Sequence, residues 1–229
     1  MKIKYAILNI MVAGMVLLAA SCQKQDHAYK EFIKDGERIY IGKVIDLTAQ
    51  AGAGRVQLSW GIFDARVKKV KIKYNDNQDS VILDVVKTES IDYVQTIITN
   101  LEERTYTFQV YAMDGVGNQS IAGTIDCKSF GESYRKTLNN RIIGSKIISG
   151  KNVTLNWVSV TTDSNIAVTE IEYYDLDSGL ANTVVLAKSS TSIVLPNINT
   201  TKGIRYKTKY YPTTNAIDYF FTDYSTYTF

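Results

Sequence analysis

The chain has 229 residues, of which 26 are Lys or Arg, 23 Asp or Glu, one His and two Cys, giving a formal net charge of +3. That balance lacks the basic field that marks nucleic-acid binding, and cysteines at 22 and 127 alone build no disulfide framework. The one histidine, His27, precedes every strand-like segment, which excludes core-mounted Ser-His-Asp or Cys-His catalysis and leaves too few ligands for a structural zinc.

In chain order, Lys2 and Lys4 precede an apolar run over 5–20 that has no acidic residue and ends in small residues before Cys22. This is the layout of a secretory signal, and the run is too short and wrongly flanked for a spanning helix. The segment Leu18-Ala19-Ala20-Ser21-Cys22 resembles the bacterial lipobox, with Ala19 where leucine is usual. The resemblance implies removal of 1–21 and a lipid on Cys22, the new N-terminus. Loss of Lys2 and Lys4 then lowers the formal charge to +1. A polar tether over 22–40 follows.

Beyond it the pattern is period two, the mark of half-buried strands. Strands are predicted at 43–48, 56–60, 67–74, 80–85, 93–98, 106–113 and 124–128, separated by Gly-, Asn- and Asp-rich turns. A short helical turn falls near 132–140. A second set is predicted at 141–148, 153–158, 168–174, 181–187, 192–195, 204–211 and 216–228, rich in Val, Ile, Thr and Tyr as a pleated half-buried surface favours. The two sets are related. Trp60 and Trp157 lie 97 residues apart, Ile72 and Ile171 99, Tyr106 and Tyr206 100, each in a matching local pattern. A unit of about 100 residues is the length of a seven-stranded β-sandwich. The predicted organisation is a signal peptide over 1–21, a tether over 22–40, one sandwich over 41–129, a linker over 130–140 and a second sandwich over 141–229.

The segments Val56-Gln57-Leu58-Ser59-Trp60, Thr99 to Phe108 and Asp114 to Ser120 resemble a fibronectin type III domain. The fold class expected is therefore all-β, with two tandem fibronectin type III-like (immunoglobulin-like) sandwiches after a lipoprotein signal peptide. The resemblance implies that Trp60 and Trp157 fill the two cores and that Tyr106 and Tyr206 tie their hydroxyls to backbone. The whole mature chain, through the run 29–43, Gly131-Glu132-Ser133-Tyr134, Asn140-Arg141, Tyr211-Pro212 and Ile217-Asp218, is similar to a Bacteroidetes lipoprotein family named domain of unknown function four-nine-nine-eight. Members often accompany outer-membrane glycan-uptake systems, which implies an exported, lipid-anchored location at the outer-membrane surface.

No catalytic constellation, cofactor motif or metal-ligand spacing is legible. Asp175-Leu176-Asp177-Ser178-Gly179 is faintly like a calcium loop, but its glycine comes early and a terminal glutamate is missing, so it reads as a hairpin turn. Cys127 reads as a small buried hydrophobe. Two surfaces stand out. Lys69, Lys71 and Lys73 alternate on one strand where the second copy has Glu170 and Glu172, so these faces could attract one another. On the last strand, parity sets Tyr219, Phe221, Tyr227 and Phe229 against Phe220 and Tyr224, so one set is outside the core. Phe220 and Tyr224 are the candidate ligand or partner contact. The expected function is a non-catalytic surface lipoprotein that binds a glycan or an outer-membrane protein; the alternative is a structural spacer or protein-interaction module with no small ligand.

Overall fold

Alternating inward valine, leucine, isoleucine and aromatic residues fold the chain into paired antiparallel sheets. The computed structural model describes residues 40–161 and 165–229; the expected signal peptide, Cys22 and the tether up to residue 39 lie outside the described residues. The first sandwich has β1 (Ile45–Ala51), β2 (Val56–Ile62), β3 (Lys69–Tyr74), β4 (Asp79–Asp84), β5 (Asp92–Ile98), β6 (Thr105–Met113) and β7 (Gly123–Lys128). One sheet runs β1-β2-β5, the other β4-β3-β6-β7. Between them Leu58, Trp60, Ile72, Phe108 and Val110 are fully buried.

A four-residue helix, α1 (Glu132–Arg135), leads to β8 (Ile143–Ser149), β9 (Asn152–Trp157), β10 (Ile166–Tyr174), β11 (Ala181–Ala187), β12 (Ser192–Leu195), β13 (Ile204–Tyr210), β14 (Phe220–Phe221) and β15 (Ser225–Tyr227). The sheet orders repeat: β8-β9-β12 faces β11-β10-β13, and β14 and β15 both pair with β13. Both sandwiches thus have the three-plus-four fibronectin type III arrangement. Their local geometry repeats as well. Asn100 and Asn197 both take left-handed backbone, at φ 59° and 48°, a conformation that asparagine tolerates through its short polar side chain. The next amides, of Leu101 and Ile198, bond to Gly54 O at 2.9 Å and Lys151 O at 2.8 Å. Trp60, Tyr106, Trp157 and Tyr206 are all buried. The Tyr206 hydroxyl pairs with the Ser225 side chain rather than with backbone, and the Arg104 guanidinium covers the Tyr106 ring at 4.1 Å.

The segment between the sandwiches is fastened on both sides. Glu103 of the first sandwich accepts the Ser133 and Tyr134 amides, each at 2.7 Å. The Tyr134 ring packs edge-on between Phe130 at 4.9 Å and Phe220 at 5.3 Å. Arg135 reaches Asp223 at 2.7 Å, and the Tyr210 hydroxyl donates to Asn139 O at 2.7 Å. Arg141 is buried, and its guanidinium caps the carbonyls of Ser190 and Ala187 at 2.9 and 3.2 Å.

The single strand expected over 216–228 is corrected to two short ones, and the linker is the reason. Asn140 donates to Asp223 O at 2.7 Å and to Ser225 Oγ at 2.9 Å, while its own Oδ1 accepts the Thr222 hydroxyl at 2.6 Å. Thr222 N still reaches Thr208 O at 3.0 Å, and the strand is interrupted until Ser225, where these bonds lie. Residues 216–218 are not strand but the tip of the β13–β14 loop, which crosses to the first sandwich. There Ile217 N bonds Ala51 O at 2.8 Å. Asp218 takes Arg55 bidentately at 2.6 and 2.8 Å and the Ala53 amide at 2.8 Å. Gly52 makes the approach feasible, since a Cβ there would lie 2.5 Å from Asp218 Oδ2 and 2.8 Å from Ile217 Cγ1.

Two variants test this elbow. Asp218→Ala and Gly52→Ala are each expected to raise the radius of gyration and maximum dimension in small-angle scattering while leaving the far-ultraviolet spectrum unchanged. Scattering curves superposing on that of the parent chain would dismiss the clamp. The Arg55 guanidinium holds the Asp218 carboxyl below its ordinary range, with the Ala53 amide adding to it. A lowered folded-state pKa means the stabilisation is complete above the ordinary carboxylate value and is lost as pH falls through the lower one. The elbow is therefore expected to stay closed at neutral pH and to open only below about pH 4.

Candidate functional site

The outer face of the β11-β10-β13 sheet carries a ladder of rings and cations. On β13 the residues pointing outward are Arg205, Lys207 and Lys209; register places Thr226 beside Arg205 and Phe221 beside Lys209. The Lys209 ammonium sits 3.9 Å from the Tyr219 ring centroid and 5.4 Å from that of Phe221. Lys207 sits 4.0 Å from Phe221 and 5.1 Å from Tyr224, and the Arg205 guanidinium 4.6 Å from Tyr224. Acids on β10 close the other side, with Glu172 on Arg205 at 2.6 Å and Glu170 on Lys207 at 3.4 Å. The Tyr224 hydroxyl also donates to Glu172. That bond, reinforced by Arg205, outweighs burial and holds the Glu172 carboxyl below its ordinary range.

This geometry separates the pair singled out by parity. Phe220 lies beside Tyr210 on the inner side of β13, half-buried against Tyr134, so it belongs to the linker packing. Tyr224 is 42% exposed on the outer side. Because the strand breaks between them, Phe221 and Tyr224 share a face although they are three residues apart, and Phe220 and Tyr224 do not form one surface. The Tyr224 ring is already met by Arg205 and Lys207, which leaves little of it for stacking on a sugar. The expectation that Glu170 and Glu172 attract the lysine face of the first sandwich is likewise corrected, since both acids are engaged by cations of their own sheet. Asp175 closes a hairpin turn, accepting the Ser178 amide at 2.8 Å and Asn197 Nδ2 at 2.9 Å. Cys127 is half-buried against the first core, and burial pushes its thiol up.

A different aromatic is free. The outer face of β1-β2-β5 consists of three rows: Gln50–Gln57–Ile97, Thr48–Ser59–Gln95 and Ile45–Gly61–Tyr93. None of these nine residues is charged, although the exposed Asp46 carboxylate of β1 reaches the Tyr93 end of the face. Gln57 Nε2 lies 3.1 Å from Gln50 Oε1 and 3.4 Å from Gln95 Oε1, so the amides form a connected belt. Tyr93 is held at both ends: its hydroxyl bonds Asp46 at 3.0 Å, and its ring leans over Gly61, where a Cβ would lie 3.3 Å from the ring. It is nevertheless 66% exposed. Sequence reading passed over Tyr93. The signal was Gly61 inside β2, because a strand glycine marks close approach by a neighbour, but the neighbour's identity depends on register.

Replacing Phe221 with alanine removes the ring shared by Lys207 and Lys209. It is expected to lower unfolding stability in denaturant by about 1–2 kcal/mol, from two cation–π contacts of about 0.5–1 each. An unchanged unfolding midpoint would dismiss the ladder's contribution.

Comparison with solved structures finds similarity to the FN1–FN3 domains of chicken CNTN1, at 13% identity and TM-score 0.39 over 84% of this chain and 69% of that one. The two-domain fibronectin type III segment of chicken tenascin is similar at 15% identity and TM-score 0.31, over 80% and 97% of the respective chains. No curated protein matches the sequence. The family model DUF4998, described as a domain of unknown function, matches residues 22–220, and with nearly all of both sandwiches inside that match the chain belongs to this family.

Proposed function

We propose that the protein is a non-catalytic binding module, held at the outer-membrane surface by a lipid on Cys22, that presents the amide- and hydroxyl-lined face around Tyr93 to a neutral glycan. The fibronectin type III-like fold is that of a binding or interaction module. The observation that carries the ligand class is the fixed, exposed Tyr93 ring, its hydroxyl held by Asp46, at one end of a face of amides and hydroxyls from Gln57, Gln95, Ser59 and Thr48. The CH face of a sugar stacks on such a ring, and amides and hydroxyls pair with sugar hydroxyls. A neutral ligand also avoids the repulsion that an acidic sugar would meet from the Asp46 carboxylate.

Carboxylate chemistry has little support, because the well-placed acids are engaged. Asp64 is held by Arg66 and Gly42 N, Asp92 by Lys87 and Thr88, and Asp218 by Arg55. The second reading, a spacer or protein-interaction module, draws on the fastened linker and on the ladder whose rings are already occupied. Anchoring by lipid follows from the 18–22 segment, and two or more acyl chains give the stable insertion that one does not.

The test uses the chain from residue 23, which retains every described residue, on a glycan array and in affinity gels of neutral polysaccharides. Saturable binding that falls about tenfold or more in Tyr93→Ala, the loss of about one stacking contact, and persists in a Phe220→Ala, Tyr224→Ala double variant supports the reading. Silence from a folded sample gives the ground to the spacer. Separately, Cys22→Ser in the full chain is expected to move the protein from the membrane fraction to the soluble one, and continued membrane retention would refute the lipid anchor.

A further inference from the structure

We propose that one end of the first sandwich is a membrane-contact surface, seated by the loop tips Phe63, Val86 and Val116 on the same bilayer that holds the Cys22 lipid. The inference rests on the lipid anchor proposed above. Strand pairing brings three loops to this end. Strand β1 starts with Ile45 beside Gly61, so the chain enters next to the β2–β3 loop, while Asp84 at the end of β4 and Met113 at the end of β6 both pair with Lys69 at the start of β3. Backbone bonds join the loops to one another: Lys68 N donates to Met113 O at 2.8 Å, and Val85 N donates to Lys68 O at 2.8 Å. The entering chain is fastened to the same group. Asp64 accepts the Gly42 amide at 2.8 Å, and a Cβ on Gly42 would lie 2.7 Å from the Phe63 ring.

The tips are apolar and open, with Val116 86%, Val86 82% and Phe63 49% exposed. At the opposite end, where Arg55 and Glu103 meet the second sandwich and the linker, the turns over 52–55, 75–78 and 99–104 expose no large hydrophobic residue. Single exposed apolar side chains are ordinary, but loop tips that differ this way between two ends of one sandwich mark a contact surface. The tether sets the occupant. Cys22 lies twenty positions before Gly42, and at about 3.5 Å per extended residue that chain spans at most about 70 Å. A lipid on Cys22 therefore keeps this end close to the bilayer, where contacts too weak to bind alone become effective, as a second signal reinforces a single acyl chain. Charge neither drives nor opposes the contact. Asp64, Asp84 and Asp92 are paired with Arg66, Lys69 and Lys87, and Asp114 closes its own turn on Asn118. Exposed Lys43 and Lys68 balance Asp46 and Glu89, and the lysine stems can lie along the interface with their ammonium groups among the headgroups. Seating the loops leaves the sheet faces at the side, so Tyr93 stays open to its ligand.

The test imposes the anchor chemically, so that a failure of natural lipidation leaves its result unchanged. The chain from Cys22, carrying Cys127→Ser, is coupled through the Cys22 thiol to a maleimide-bearing lipid in phosphatidylcholine vesicles, and its hydrogen exchange is compared with that of the uncoupled chain mixed with the same vesicles. Amides over 85–91 and 114–119 are expected to exchange about tenfold more slowly in the coupled chain, at low and high salt alike because the contact is apolar. Those over 75–78 and 99–104 should keep their rates. A Val86→Asp, Val116→Asp double variant should abolish the difference while leaving the circular dichroism spectrum unchanged, since both side chains are exposed. Equal exchange in the coupled and uncoupled chains, slowing that survives the double variant, slowing that high salt removes, or equal slowing at both ends of the sandwich would overturn the proposal.

Discussion

The Asp218 carboxylate receives three donors from the first sandwich, two on the Arg55 guanidinium and one on the Ala53 amide. A fork-to-carboxylate pair of this kind fixes orientation as well as distance, and the Ala53 bond ties it to backbone rather than to a mobile side chain. An exposed ion pair alone contributes little to stability. This one matters through its place. It seats the β13–β14 loop in the turn between β1 and β2, where only a glycine at 52 leaves room, and Ile217 N on Ala51 O extends the same contact along the chain.

The form of the last strand follows from that commitment. Chain drawn away to reach Arg55 cannot pair with β13 until Phe220. Asn140 then interrupts the ladder at 222–224, and pairing resumes at Ser225. The interruption shifts the side-chain phase, so that Tyr219, Phe221 and Tyr224 all reach the outer face, where Lys207, Lys209 and Arg205 fill the gaps between their rings. The aromatic ladder is thus a consequence of the elbow. Its rings compensate for the backbone pairing that a full-length strand would have supplied.

This explains why the fold was legible and the surface was not. Inward alternation in Val56-Gln57-Leu58-Ser59-Trp60 and Val153-Thr154-Leu155-Asn156-Trp157 is a local property, and it located twelve strands to within two residues and β1 to within three, together with the repeat. The asparagine turns at 100 and 197 are local as well. The assignment of Phe220 and Tyr224 to one face assumed uninterrupted period two, and the interruption comes from Asn140, more than 80 residues earlier in the chain. Tyr93 escaped notice for the same kind of reason. Its ring is distinguished from other strand tyrosines by Gly61 opposite and Asp46 at its hydroxyl, neighbours supplied by two other strands.

A flat sheet face makes few contacts with a ligand, and one stacked ring with several amides is the recipe for weak binding at a single site. Weak sites become effective when they are held together, because the second contact is then intramolecular and its effective concentration depends on how stiffly the sites are joined. An elbow fixed by Asp218, Tyr134 and Asn140 removes one source of slack, and less freedom has to be lost when a ligand is bound. On the proposed reading, the Tyr93 platform with the Asp46 carboxylate beside it favours neutral over acidic polymers, while strength has to come from arrangement: lipid confinement to a surface and a stiff junction.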